Sequence, residues 1–397
     1  MTTSAKLPLA ATCLSAVALS ACVQVAAADQ KCTGDGWATK SDAAFAADCA
    51  DTAFNGSLEE RQMLAWMFFT RVNQLIADPT KGGMSNTGKV PVWMAWPTDP
   101  DTFDTARPFD FKDTPRDDMS PTAEKKDLEA GGVATADPDG ANEEVTRNRI
   151  SYDYLIESGL TTKLDIAAFF EKNDYVDMPV GSVELKASWL QVTEGSPAPD
   201  GALTFNFDSG EYWWRGLHIM AKMQSLSDPS DVFYSEDPSW FWTTFEFTNN
   251  PGVAHVRDQL ITQRAPLSEK EISAILETGG LAGFGLEAYA PNGTQIRFTA
   301  AGTGETPVIL GHTDMEDFAG SPNTAQPRYW TRFEASCHSC HATASYNPEI
   351  EAFFPFSVPT GALHPGYNKA DSSGAVRYLG QGYKPLDFMW PIAFQAR

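Results

Sequence analysis

Apolar and polar positions change period along this chain, and the changes divide it. Met63, Leu64, Met67, Phe68 and Val72 recur at three- and four-residue spacing, behind a Ser57-Leu58-Glu59-Glu60 capping box. That combination predicts a helix from 57 to about 76. Over 79–148 the period is lost and Pro, Asp, Thr and Gly dominate, which predicts a long, mostly irregular excursion. Its acidic stretch, 137–144, lacks the spacing of a twelve-residue calcium loop and reads as a solvated loop. From Val180 the period becomes two. Val183-Glu184-Leu185-Lys186-Ala187-Ser188-Trp189 alternates as a half-buried strand does, and 203–207, 212–220 and 240–247 read as further strands. Ser268-Glu269-Lys270-Glu271 caps a short helix that stops at Gly279-Gly280. Over 286–298 the pattern predicts a hairpin turning at Asn292-Gly293. A helix over 326–336 would lead into Cys337, with Phe333 one turn ahead of it.

Composition fits a folded chain: 42% hydrophobic and 12% aromatic, with 11 Trp. There are 29 basic residues against 52 acidic, a formal charge of −23. That balance argues against nucleic acid and anionic membrane surfaces, and suits solubility or a basic redox partner. Lys6 followed by a small apolar run over 7–19 resembles an export signal, too short to span a bilayer. Two cleavage readings compete. Ala26-Ala27-Ala28 fits an ordinary signal-peptidase site and makes 1–28 the leader. Leu19-Ser20-Ala21-Cys22 fits a lipobox, ending the leader at Ala21 and placing a lipid anchor on Cys22. Both put the chain outside the cytoplasm, in the periplasm or held at the outer membrane. In such an oxidising compartment Cys32 and Cys49 form an even pair, expected to be one disulfide.

The most specific feature is Cys337-His338-Ser339-Cys340-His341, a C-x-x-C-H. Two thiols at this spacing add to the two vinyl groups of one haem, and the following imidazole becomes the proximal iron ligand. With 6 Cys and 6 His in 397 residues, chance would produce the pattern in on the order of one chain in a thousand. No second C-x-x-C or H-x₃-H supplies the other half of a zinc site. Covalent attachment by Cys337 and Cys340 with His341 on iron implies one haem c. The sixth position separates an electron carrier from a catalyst. Met389, in Asp387-Phe388-Met389-Trp390, is its first candidate; an apolar anchor is the plainer reading of that stretch. His364, Met315 and His312 follow as candidates.

Other polar positions read more blandly. His338 reads as a surface residue and His218 as a satisfied core or pocket histidine. Glu184, Lys186, Arg215 and Glu246 either line a pocket or form the wet face of a sheet, the wet face being favoured. No G-x-S-x-G, H-E-x-x-H or P-loop is present, so hydrolase chemistry has no support.

Four blocks carry a resemblance: 183–189, Gly216-Leu217-His218-Ile219, 240–246 and the C-x-x-C-H. Together they resemble a secreted proteobacterial cytochrome c-like family. The resemblance implies a haem and an extracytoplasmic location, and carries no reaction. The family's Glu-His-x-Asp-Asn is here Glu246-Phe247-Thr248-Asn249-Asn250, so that histidine's role is not transferred. The expected fold is α+β. An N-terminal helix and irregular region cover 29–179, a mainly β domain 180–320, and a short α-helical cytochrome c-like haem domain 321–397. The expected function is periplasmic electron transfer. The alternatives are a haem enzyme of peroxidase or oxygenase type, holding substrate between the β domain and the haem, and a binding protein with a structural haem.

Overall fold

The computed structural model describes residues 31–78, 82–104, 106, 108–116, 142–226, 239–250, 267–297, 310–313, 315, 320–323, 326–333, 337–342, 344–353 and 382–396. The two leader readings, Cys22, His364 and most of the 137–144 stretch lie outside them. The fold is mixed α/β: a mainly antiparallel sheet with few helices. Among the described residues no helix is long and apolar enough to cross a membrane.

After a 3₁₀ turn at Trp37–Thr39 come two helices, α1 (Asp42–Asn55) and α2 (Leu58–Val72). The Ser57 capping box forms as its residues demand: Ser57 Oγ accepts from Glu60 N, and Glu60 returns a carboxylate oxygen to Ser57 N. Cys32 and Cys49 are joined by a disulfide across 17 residues, tying the start of the chain to α1. A Cys32→Ala/Cys49→Ala variant is expected to lose about 3 kcal/mol through the freed unfolded chain. Urea denaturation checks this; an unchanged midpoint would refute the loop-closure argument.

The central sheet has six strands: β1 (Asn142–Arg147), β2 (Val183–Gln191), β3 (Thr204–Phe207), β4 (Gly210–Lys222), β5 (Trp240–Phe247) and β6 (Tyr289–Gln295). They pair in the order β1-β2-β4-β5-β6, with β3 also on β4, all antiparallel. Lys186 opposes His218, which opposes Thr244, so these share one face. Leu185 opposes Ile219, which opposes Thr243, on the other. That second face packs on α2: Phe69 stacks on Phe245 at 4.0 Å and Phe68 on Phe241 at 5.6 Å. Aromatic pairs so arranged add to the burial that drives the layer together.

Several expectations are corrected. Asn142–Arg147, inside the supposed irregular excursion, is an edge strand of the sheet. Asn292-Gly293 is no turn but lies within β6, where Asn292 is claimed by Glu246 and the Gly311 carbonyl. Gln326–Phe333 is a strand paired with Gly320–Asn323, not a helix. The tail contributes the one-turn helix α3 (Cys337–His341), short strands at Ser345–Asn347, Ala352–Phe353 and Lys384–Pro385, and the helix Trp390–Gln395. These cover the His218 face. Glu184, Arg215 and Glu246 are buried, Glu184 against Arg147 and Glu246 against Thr313, Asn250 and Asn292, and Lys186 is half-buried against Glu143 at 2.8 Å; this is not a wet face.

Candidate functional site

The site begins with one helical turn. Positions 337, 340 and 341 fall within the single turn of α3. Three contacts seat that turn, two on the Leu310 carbonyl and one on the sheet. Cys337 N donates to the Leu310 carbonyl at 3.0 Å, the Cys337 thiol approaches the same oxygen at 3.2 Å, and His338 N donates to Gln295 Oε1 on β6 at 3.2 Å. His338 is 4% exposed and its ring lies 4.7 Å from Phe388, so the surface assignment is overturned.

His341 is half-buried. Its ring meets Trp242 of β5 edge-on at 4.9 Å. Its Nδ1 lies 2.8 Å from the Phe388 carbonyl oxygen. A carbonyl only accepts, so Nδ1 carries the proton. In the neutral ring the lone pair then sits on Nε2. This is the state a metal-ligating imidazole requires, and a hydrogen bond of this kind raises its basicity.

Beside the thiol stands a polar patch of the sheet. His218 Nδ1 is 3.9 Å from Cys337 Sγ and 2.7 Å from Thr244 Oγ1. His218 is therefore a buried histidine hydrogen-bonded within the sheet. His312 is fully buried, its ring centre 6.0 Å from that of His218. The Leu310–Thr313 loop that carries it is held by buried Glu246. This carboxylate accepts from Thr313 Oγ1 and N, from Asn250 Nδ2 at 2.8 Å and from Asn292 Nδ2 at 2.8 Å. Glu246 thus anchors the loop whose Leu310 carbonyl seats Cys337. Met315 is buried in the same region.

Compared with known family models, curated proteins and solved structures, the chain matches none.

The donor set fits a covalent haem: two cysteines and a histidine on one turn, with the histidine tautomer fixed for ligation. Cys337, Cys340 and His341 would hold the group. Met389 is fully buried and directly follows the residue whose carbonyl meets His341.

Sequence reasoning passed over the groups that orient these side chains. Phe388 acts through its backbone, which no residue pattern announces. Gln295 and Thr244 look like ordinary strand residues. Lys222 and Asp387 did carry a signal, each being one charge inside an apolar run: Ile219-Met220-Ala221-Lys222 and Leu386-Asp387-Phe388-Met389. Charges so placed are buried only when paired.

Proposed function

We propose that the chain is an extracytoplasmic, monohaem c-type cytochrome that passes electrons through a haem attached at Cys337 and Cys340 and ligated by His341. The observation that carries this is the His341 Nδ1 contact to the Phe388 carbonyl, within a C-x-x-C-H seated against the sheet. A haem there would exchange one electron between its ferric and ferrous states. The chain's own residues do the rest. Cys337 and Cys340 tether, and His341 donates a lone pair kept basic by Phe388. Trp242 packs edge-on against the imidazole. The acidic surface suits a basic redox partner.

One observation favours the haem-enzyme reading as a second. The two nitrogens of an imidazole point to opposite sides of the ring. A metal on Nε2 therefore stands away from Phe388. Successive Cα atoms are about 3.8 Å apart, so Met389 starts on the side behind His341. That is unfavourable for a sixth ligand. A ligand other than Met389 would then complete the iron.

The test is expression alongside a haem-attachment system. Wild-type protein is expected to gain the mass of one haem, resistant to acid–acetone extraction. Cys337→Ala/Cys340→Ala is expected to lose it entirely. Colourless wild-type protein sinks the reading. Carbon monoxide then separates the two versions. Immediate binding by the reduced form supports the enzyme; an inert spectrum with a methionine–iron band supports the carrier.

A further inference from the structure

Asp387 and Lys222 form an ion pair at 2.6 Å in which both side chains are fully buried. Every oxygen of that carboxylate is used. Oδ2 accepts from Lys222 Nζ and, at 2.7 Å, from Met178 N; Oδ1 accepts from Trp240 Nε1 at 2.8 Å. Lys222 also reaches Asp177 at 2.9 Å. Stability alone does not explain such a pair. Apolar residues of similar volume do as well or better in many cores, because two charges must leave water to form it.

The backbone supplies the explanation. Asp387 has φ 50° and Phe388 φ 68°, two successive non-glycine residues in the left-handed region. Such a conformation is unfavourable for a residue with a Cβ and persists only where its surroundings force it. The forced turn aims the Phe388 carbonyl at His341 Nδ1, 2.8 Å away. The next link also belongs to the turn, since Met389 N donates to Leu386 O at 3.0 Å.

We infer that the buried Lys222–Asp387 pair positions His341: it pins the strained turn that presents the Phe388 carbonyl, and so sets the ligand strength of Nε2. The inference rests on the haem reading and deepens it. Lys222 and Asp387 touch no cofactor; they act through a backbone oxygen. Partners of a ligand histidine change metal affinity by roughly 10–100-fold when removed. Here the same lever would act on the balance of oxidised and reduced iron, since a more basic imidazole favours the ferric form.

The experiment compares holoproteins by equilibrium redox titration and by thermal melting. In Lys222→Met/Asp387→Leu the apolar replacement keeps volume and removes both charges together. Its covalent haem is expected to stay near wild type, while its melting temperature falls, since Met178 N and Trp240 Nε1 lose their acceptor and Asp177 its cation. Its midpoint potential is expected to rise by about tenfold in the redox equilibrium constant, which is about 59 mV for one electron. Trp240→Phe removes one donor to Asp387 and is expected to shift the midpoint in the same direction by a smaller factor. It remains readable should the double variant fail to fold. Lys222→Arg keeps the charge and is expected to restore most of the wild-type potential. A midpoint unchanged in the variants that fold, whatever their melting temperature, overturns the inference and leaves the haem reading standing. Wild-type protein that never acquires haem overturns both.

Discussion

Arg147→Met is expected to cost about 3–5 kcal/mol of folding stability, the range for breaking a buried ion pair from one side. The Arg147 side chain is fully buried at the end of β1. Its Nε donates to Glu184 Oε1 at 2.9 Å, and its other nitrogens reach Asp99, Thr102 and the Thr98 carbonyl at 3.3 Å. One cation thus serves two carboxylates and joins the 98–103 segment to the edge of the sheet. Methionine keeps the volume and leaves both acids buried without it. Burial pushes the Glu184 carboxyl above its usual value, and Arg147 opposes that. Removing the arginine raises it further, so the acid protonates instead of staying charged. A carboxyl raised in the folded state stabilises below its unfolded pKa, and that contribution is lost as pH rises through the folded one. The deficit of the variant is therefore smallest in acid and grows upward from about pH 4. Denaturant unfolding at several pH values checks both size and slope. A loss under about 1 kcal/mol, or a deficit that grows toward acid, would refute this account of the pair.

The features legible in the sequence were those whose causes are local. Strand Trp240–Phe247 and the capping boxes at Ser57 and Ser268 form where their patterns place them, because apolar periodicity and a cap act over a few residues. Asn292-Gly293 has turn chemistry, yet Glu246, 46 residues away, captures the Asn292 side chain and holds it in a strand. No window around Asn292 contains that information. The alternation in Val183–Gln191 correctly gave a strand with two unlike faces. It was silent on what would cover the polar one, and there the reading of a wet face failed. The cover is the C-terminal segment, which reaches that face through Asp387, 165 residues from Lys222. The same segment buries His338. For the candidate site, the C-x-x-C-H supplied the proposed donors. The tautomer of His341 depends on a backbone oxygen with no signature of its own.

Gly216→Ala is expected to damage the fold and the candidate site together. Gly216 has φ 150°, and a Cβ there would stand 2.1 Å from the Phe245 carbonyl oxygen, 2.9 Å from Glu246 Cα and 2.7 Å from His312 Nε2. Two of those neighbours are backbone of β5 and cannot swing aside. The residue also adjoins the register shift between β2 and β4, after Ser188 opposite Gly216. Backbone strain costs on the order of 1–3 kcal/mol and overpacking a further 1–3 kcal/mol, so a loss near 4 kcal/mol is expected. The clash pushes on His312 and Glu246, hence on the Leu310–Thr313 loop, whose Leu310 carbonyl seats Cys337. Covalent haem yield is therefore expected to fall along with stability. Gly280→Ala separates the two causes: that glycine has φ 74° with nothing within 4 Å of a new Cβ, so it reports strain alone. Urea midpoints and haem content of the two variants decide the matter. Equal losses would remove close packing as the reason for Gly216. An unaltered haem yield in a clearly destabilised Gly216→Ala would cut the link from the sheet through Leu310 to Cys337.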